Sequence, residues 1–265
     1  GSWLEPRIAT LYEELAARGL GFRPHFWLSA EWFTPDGVPG IAIPFYLAHP
    51  RLMRLEKAQM LEVEGGTPEW CLQILRHEAG HAFDNAYDLR RRTRRLRLFG
   101  RPSTPYPDFY LPRPYSKSFV LHLDSWYAQA HPDEDFAETF AVWLTPRSPW
   151  RRQYKGWPAM RELRYVERMA RTLADVEPIV KTGEVDITPD DIGVTVEQFY
   201  EQAAQERQAR IDIALDAHLG QIFLPRRRKE SKPAADIVNR HQRELIEKIA
   251  YWTGVPRPIV RGLIE

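Results

Sequence analysis

The sequence predicts an α+β fold, in which a small sheet and a helical lobe form one domain and a helical extension follows it. Two short runs rich in aromatic and β-branched residues predict strands, and several longer runs with apolar residues at helical spacing predict helices. The 265-residue chain is 43% hydrophobic and 28% charged, which is ordinary for a globular protein that buries a core. We therefore expect a main domain over residues 1–180 and a helical C-terminal extension over residues 181–265.

The first predicted elements are a helix and a small sheet. Residues 6–18 carry apolar side chains at helical spacing and end at a glycine, which is a common helix stop. Residues 25–29 and 40–47 favour strands, and the turn residues 34–37 (TPDG) lie between them, so a hairpin is one way to pair them. Pro44 would confine the second strand to an edge or a bulge.

The strongest helix predictions follow the sheet. Thr67 is a favourable N-cap, Pro68 suits the first helical position, and helical spacing continues to about Tyr87. A second strong helix is predicted to begin after Pro132 and to end before Pro146. These two helices carry most of the candidate site residues.

The remaining segments are a loop, a further helix and a helical tail. Residues 100–116 contain five prolines interleaved with tyrosines, which predicts a loop without regular structure. Residues 159–176 have helical spacing. Residues 194–265 predict two or three helices that are broken by a charged linker at residues 225–233.

Charge and cysteine content argue against several functional classes. Thirty-seven basic residues against thirty-six acidic residues leave a formal charge of +1, whereas a dedicated nucleic-acid binder is usually basic. The single cysteine, Cys71, cannot form an intrachain disulfide, and its apolar neighbours favour a small core residue over a thiol nucleophile. No apolar run is long enough for a membrane span, and residues 1–3 show no signal-peptide pattern, so we expect a cytoplasmic protein.

A metal-binding motif lies inside the strongest predicted helix. Residues 77–81 read HEAGH and fit the pattern H-E-x-x-H, in which His77 and His81 leave the same helix face and can bind one ion. Zinc suits such a site because it accepts nitrogen and carboxylate ligands and tolerates an open fourth position. Glu78 projects from the neighbouring face, where it can act as the general base toward a water that the metal activates. A chance match on a surface helix is the alternative, but apolar neighbours would bury this helix, and a buried histidine pair without a metal is costly.

The third ligand must come from another segment, and the helix after Pro132 is the best source. Glu134 and Glu138 are four residues apart and share a helix face. One would bind the metal, and the other would accept a hydrogen bond from the second ring nitrogen of a ligand histidine. An acidic helix start that is favoured by the helix dipole is the alternative, and it explains residues 133–135 but not Glu138. Glu134 is therefore the favoured ligand, with Glu138 as the second choice.

Two segments resemble known metallopeptidases. The motif helix reads HEAGHAFD and the later segment reads EDFAETF, a pair that is similar to the pattern of lethal-factor-type gluzincins. Roughly residues 20 to 170, including EVEGGTPEWC and HPDEDFAETFAVWLTPRS, resemble a family of bacterial zinc-binding metallopeptidases. The resemblance implies a gluzincin-like domain with one zinc ion, and it does not imply a particular substrate.

The resemblance also implies roles for individual residues. The first glutamate of E-x-F-A-E is the metal ligand, which is Glu134 here, while Glu138 and Asp84 orient the histidines. Relatives place a tyrosine seven residues before the ligand, where its hydroxyl stabilises the oxyanion, and Tyr127 occupies that position. Plain aromatic packing is the alternative for Tyr127. Asp135 departs from the pattern, because those relatives usually carry an aromatic residue there.

Other residues could serve as the oxyanion donor or contact the substrate. His131, three residues before Glu134, could replace Tyr127, although a surface residue that precedes a helix is the simpler interpretation. The loop at residues 100–116 lies between the two metal-binding helices in sequence. Its tyrosines either contact substrate or form a packed cover; they are Tyr106, Tyr110 and Tyr115.

Three hypotheses follow for the function. The first is a zinc-dependent peptidase that hydrolyses peptide or isopeptide-like bonds of a peptide or protein substrate. The second is a metal-stabilised protein that binds peptides without turnover, a function that would not require Glu78. The third is a nucleic-acid-associated protein that uses the basic run at residues 90–97 (RRRTRRLR), for which a phosphate site, a site for an acidic substrate tail and a solvated helix end are all compatible interpretations. The oligomeric state stays open.

Overall fold

The computed structural model describes most of the chain and confirms the α+β class. The described residues are 2–60, 62–107, 110, 112–183, 187–188, 191, 193–203, 205, 234–253, 260–261 and 264. The chain divides into two compact units, Gly1–Val194 and Thr195–Glu265. The domain boundary that the sequence predicts after residue 180 stays a prediction, and the predicted linker at residues 225–233 lies outside the described residues.

The sheet has two parallel strands, so the hairpin suggested by the sequence is wrong. Strand β1 (His25–Ser29) pairs in parallel with strand β2 (Gly40–Pro44). The turn at residues 34–37 does reverse the chain, but it brings Phe33 antiparallel to β2, where the Ala42 N–H donates to the Phe33 carbonyl. The chain therefore reverses once before Phe33 and once after it. Two reversals leave β1 and β2 running in the same direction.

Seven helices are described in the first unit. They are α1 (Glu5–Ala17), α2 (Pro50–Met60), α3 (Pro68–Ala86), α4 (Thr93–Phe99), α5 (Pro132–Leu144), α6 (Trp150–Gln153) and α7 (Met160–Leu173). Short 3-10 helices add Phe45–Ala48, Leu89–Arg91 and Asp124–Gln129. The predictions of α1, α3, α5 and α7 are confirmed, whereas α2 and α6 were not predicted.

Local capping explains where the two principal helices begin. The Thr67 hydroxyl accepts a hydrogen bond from the Trp70 N–H, and Pro68 occupies the first turn of α3, as the sequence predicts. In α5 the N-cap is His131, whose ring nitrogen accepts from the Asp133 N–H. Each start satisfies a backbone N–H that has no partner within the helix.

A glycine allows α3 and α5 to pack with their backbones in contact. A Cβ atom on Gly80 would lie 2.8 Å from Cα of Ala137 and 3.1 Å from Cβ of Phe140, which leaves no room for a side chain. One turn away, the rings of Phe83 and Phe140 stack with their centroids 5.0 Å apart. This close crossing brings the HEAGH motif of α3 against the acidic residues of α5.

The core around this crossing also contains Cys71. Its thiol is free and fully buried, and burial raises the pKa of Cys71 to about 12. A neutral, enclosed thiol is a core residue and not a nucleophile at neutral pH. None of the helices described for this chain combines the length and apolar character that a membrane span requires.

The second unit is helical where it is described, as the sequence predicts. Residues 196–203 are helical, and two further helices span Ala234–Arg240 and Gln242–Thr253. A small apolar cluster joins residues of this unit, namely Val238, Leu245, Ile246, Val260 and Ile264.

Candidate metal centre

Three side chains from two helices converge on one point. His77 and His81 come from α3, and Glu134 comes from the first turn of α5. Oε2 of Glu134 lies 3.0 Å from Nε2 of His77 and 3.2 Å from Nε2 of His81. The two Nε2 atoms are 3.2 Å apart, so the donor atoms form a nearly equilateral triangle.

This triangle has the dimensions of one face of a tetrahedral zinc site. With zinc–ligand bonds of about 2.0–2.1 Å, tetrahedral ligand atoms stand about 3.3 Å apart. The three observed separations fall just below that value. Two imidazole nitrogens and one carboxylate oxygen are also a donor set that zinc accepts, with a fourth position left for water or substrate.

Glu138 holds the first histidine in place. Its Oε1 lies 2.9 Å from Nδ1 of His77, which leaves Nε2 of that ring to face the triangle. Its Oε2 accepts hydrogen bonds from the backbone N–H groups of His122 and Leu123, at 3.2 and 2.9 Å. Glu138 is fully buried, yet both of its oxygens have partners. A carboxylate on the outer ring nitrogen is the usual arrangement around metal-binding histidines.

The electrostatics of the triangle favour a positive charge at its centre. Burial lowers the pKa of His77, but hydrogen bonds with Glu134 and Glu138 outweigh burial and raise that pKa well above its ordinary value. Burial also lowers the pKa of His81, but the charge of Glu134 and its hydrogen bond outweigh burial and raise that pKa. Burial raises the pKa of Glu134, but His81 and His77 outweigh burial and lower that pKa well below its usual range. Surroundings that attract a proton also attract a divalent cation.

Glu78 lies beside the triangle without belonging to it. Its carboxylate is buried and accepts a 2.9 Å hydrogen bond from the Thr34 hydroxyl. Thr34 opens the turn between Phe33 and β2, and this turn is fixed to α3 because the Asn85 side-chain amide donates to the Pro35 carbonyl at 2.9 Å. The general-base candidate is therefore oriented from outside its own helix.

Two tyrosines lie against the triangle. Tyr127 sits on the 3-10 helix before α5, with its ring centroid 5.6 Å from that of His77. Tyr106 comes from the proline-rich loop and donates a 2.9 Å hydrogen bond to Oε1 of Glu134. Burial and the charge of Glu134 raise the pKa of Tyr127 and of Tyr106, so both hydroxyls stay protonated donors at neutral pH. Of the other loop tyrosines, Tyr110 lies 6.2 Å from Tyr127, centroid to centroid.

The segment that carries these groups also matches a known family. Residues 71–149 match the family described as "Putative zinc-binding metallo-peptidase". The matched segment contains both histidines, Glu78, Tyr127 and both glutamates of α5, so the similarity covers the part of the chain that forms the candidate metal centre. No curated protein and no solved structure matches the chain. The predicted zinc cofactor is thus supported both by the family's description and by three residues close enough to hold an ion.

His131 lies in the interior, so its interpretation as a surface residue is wrong. Only 3% of the residue is exposed. Its Nε2–H donates to the Thr104 carbonyl at 2.7 Å, and its Nδ1 accepts from the Asp133 N–H. With both ring nitrogens occupied, His131 has no hydrogen left to donate to an oxyanion.

The basic run at residues 90–97 is only partly a solvated helix end, because Arg91, Arg94 and Arg97 are exposed. It divides between a 3-10 helix and α4, and two of its arginines turn inward. Arg95 is fully buried and contacts both Asp133 and Asp84, the latter at 3.1 Å. Arg90 lies 3.1 Å from Asp133. The cause is charge compensation, because two carboxylates buried at the end of α3 and the start of α5 require counter-ions.

Asp84 is placed near the histidines but bonds elsewhere. Its Oδ2 accepts from Arg95 at 3.1 Å, while its Oδ1 has no hydrogen-bond partner among the described residues. Burial raises the pKa of Asp84 to about 6, although Arg95 and Arg90 lower it. That Asp84 orients a histidine stays a prediction.

Sequence reasoning missed two contacts of this centre. Nothing in the turn sequence TPDG marks Thr34 as the partner of Glu78. The sequence analysis named three loop tyrosines as candidates and did not choose among them. Tyr106 could have been preferred because it lies between Pro105 and Pro107. Prolines on both sides restrict the backbone and favour a fixed side-chain position.

Proposed function

We propose that the chain is a zinc-dependent peptidase that hydrolyses peptide or isopeptide-like bonds of a peptide or protein substrate. The observation that carries the proposal is the triangle of His77, His81 and Glu134 with the carboxylate of Glu78 beside it but outside it. A protein that used the metal only for stability would not need a buried carboxylate in that place. The match to a zinc-binding metallopeptidase family supports the same reaction class.

The chain's own groups divide the chemistry between them. Zinc, when bound, supplies a Lewis acid that acidifies water and polarises a carbonyl group. Glu78, oriented by Thr34, takes the proton of the attacking water and passes it to the leaving amine. The Tyr127 hydroxyl donates to the carbonyl oxygen as negative charge develops on it. Glu138 and Asp84 orient the histidines in this proposal.

The resemblance to lethal-factor-type gluzincins is part of the same proposal. Glu78 as base, Tyr127 as donor and Glu134 as ligand are the roles that lethal-factor-type gluzincins would assign to these positions. A cytoplasmic location is proposed from the sequence alone, since a chain with one buried cysteine does not depend on an oxidising compartment.

The test is the substitution Glu78→Gln, with Glu69→Gln as a matched control on the exposed first turn of the same helix. Cleavage of a proteome-derived peptide library is followed by mass spectrometry, and bound zinc by elemental analysis. We expect Glu78→Gln to retain zinc and to lose cleavage by at least about 100-fold, because general-base catalysis contributes on that scale. The control is expected to behave as wild type.

Two results would contradict the proposal. If the Glu78→Gln variant cleaves as fast as the wild type, Glu78 is not the base. A wild-type protein that binds peptides and zinc but cleaves nothing in the library would instead favour the peptide-binding alternative.

A further inference from the structure

The carboxylate of Glu134 is held from two sides. Its Oε2 faces Nε2 of His77 and of His81, at 3.0 and 3.2 Å. Its Oε1 accepts the 2.9 Å hydrogen bond from the Tyr106 hydroxyl. The two oxygens of one carboxyl group therefore have different partners, and only one of them points into the triangle.

Tyr106 is itself held in a fixed position. Its ring stacks on the ring of His131, with centroids 3.7 Å apart and planes inclined by 15°. His131 cannot rotate freely, because its Nε2–H donates to the Thr104 carbonyl and its Nδ1 caps α5 through the Asp133 N–H. Tyr106 is 57% exposed, yet its hydroxyl end reaches inward to Glu134. These two contacts hold the side chain of Tyr106 in one position, although about half of the residue is exposed to solvent.

We propose that Tyr106 is a positioning residue. Its hydroxyl keeps Glu134 bound to the metal through a single carboxylate oxygen, and the ring of His131 holds the ring of Tyr106 in place. This inference rests on the proposed zinc site. A carboxylate can bind a metal through one oxygen or through both, and the second oxygen would take the position that a hydrolytic site leaves to water. A hydrogen bond to Oε1 occupies that oxygen. Outer partners of this kind tune both the geometry and the affinity of a metal site.

The substitution Tyr106→Phe tests this role. Phenylalanine keeps the ring on His131 and removes only the hydroxyl, and the exposed position tolerates this change without disturbing the core. The matched control is Tyr115→Phe in the same loop, because Tyr115 is 83% exposed and its ring contacts Trp126 and not Glu134. Both variants are made in the full 265-residue chain.

Two readouts are needed, and neither depends on turnover. Zinc affinity is measured by competition with a chromogenic chelator, and the visible absorption of the cobalt-substituted protein reports the coordination number. We expect Tyr106→Phe to bind zinc about 10- to 100-fold more weakly. Its cobalt spectrum should move towards a higher coordination number, as the freed oxygen becomes a ligand. Tyr115→Phe should match the wild type in both measurements.

Unchanged zinc affinity and an unchanged cobalt spectrum in Tyr106→Phe would overturn the inference. A fall in turnover alone, with both metal readouts unchanged, would also overturn it, since Tyr106 would then act on the substrate as an oxyanion donor. The proposed peptidase would survive either result, because wild-type cleavage and its loss in Glu78→Gln would remain. If the wild type binds no zinc, the proposed function and this inference fail together.

Discussion

Helix α5 carries buried carboxyl groups in two environments that differ only in their partners. Glu134 and Glu138 lie against α3, and each of their four oxygens has a partner in an imidazole, a phenol or a backbone N–H. Asp135 lies near Glu162 of α7, and one oxygen of each of these carboxyl groups has no hydrogen-bond partner among the described residues. All four residues are at most 9% exposed. Burial alone therefore does not identify a functional acid.

The two environments shift the carboxyl pKa in opposite directions. His81 and His77 lower the pKa of Glu134 despite its burial. Burial and the neighbouring Glu162 raise the pKa of Asp135 well above its ordinary value, and burial raises that of Glu162 to about 8. A buried carboxyl that stays ionised needs convergent donors or cations, and one without them becomes neutral. The difference separates the candidate metal ligand Glu134 from Asp135, a buried acid without convergent donors, on adjacent positions of one helix.

The largest expected effect is the loss of zinc affinity in Glu134→Gln. The matched comparison is Asp135→Asn. Glu134→Gln removes the charge that faces both imidazoles, and we expect zinc affinity to fall by more than about 100-fold, beyond the range of outer partners. Asp135→Asn makes the equivalent change one residue later, where no imidazole is involved. Its zinc affinity should equal that of the wild type. Chelator competition on both proteins gives the comparison.

Equal losses in the two variants would show that the effect is on the fold of α5 and not on the ligand. Far-ultraviolet circular dichroism and the urea unfolding midpoint of each protein provide the control for that result. If Glu134→Gln keeps wild-type affinity, Glu134 is not a ligand, and Glu138 becomes the candidate that must be tested next.

A smaller effect is expected for Glu138→Gln. One amide oxygen cannot accept from both His77 and the backbone N–H groups of residues 122 and 123, and the new NH₂ group would face a donor. We expect zinc affinity to fall about 10- to 100-fold and the free energy of unfolding to fall by about 1–3 kcal/mol. Chelator competition and urea unfolding measure the two quantities. A variant as stable as the wild type, with unchanged zinc affinity, would remove Glu138 from the centre.

Local features of the centre were predictable from the sequence, because helical spacing determines them. Two histidines four residues apart on a capped helix must share a face, and the paired glutamates of α5 follow the same rule. The position of Tyr127 came from resemblance, and its ring does lie beside His77. These features depend on residues near one another in the chain.

Features that depend on distant segments were not predictable. The parallel pairing of β1 and β2 follows from where Phe33 attaches, which strand propensity does not encode. Arg95 looked like one of several solvated cations until the fold brought it between Asp84 and Asp133. The two flanking prolines distinguish Tyr106 from Tyr110 and Tyr115, but they do not indicate which residue its hydroxyl contacts. Tertiary contacts decide each of these cases.

The smallest expected effect on zinc binding concerns Glu162, the buried acid on α7, whose replacement should change stability instead. The pKa of Glu162 is about 8 in the folded chain against an ordinary value of 4.5, so the unfolded chain releases this proton at lower pH than the folded chain does. As pH rises from 4.5 to 8 the wild type therefore loses stability, and this loss is complete above pH 8. Glu162→Gln carries no such proton, so its stability relative to wild type should rise between pH 4.5 and 8, by at most about 1.4 kcal/mol per pH unit, and the difference should vanish below pH 4.5.

Urea unfolding of the zinc-free proteins at pH 5, 7 and 9 measures that difference. Arg95 and Arg161 are the same in both proteins, whereas the pKa of Asp135 is expected to fall in Glu162→Gln, because the charge that helps to raise it is removed. The control is Glu167→Gln on the same helix, because Glu167 pairs with Arg151 at the surface and should change stability by less than about 1 kcal/mol. A stability difference between Glu162→Gln and wild type that stays constant across pH would mean that Glu162 is ionised in the fold. The contrast between the two environments of α5 would then rest on Asp135 alone.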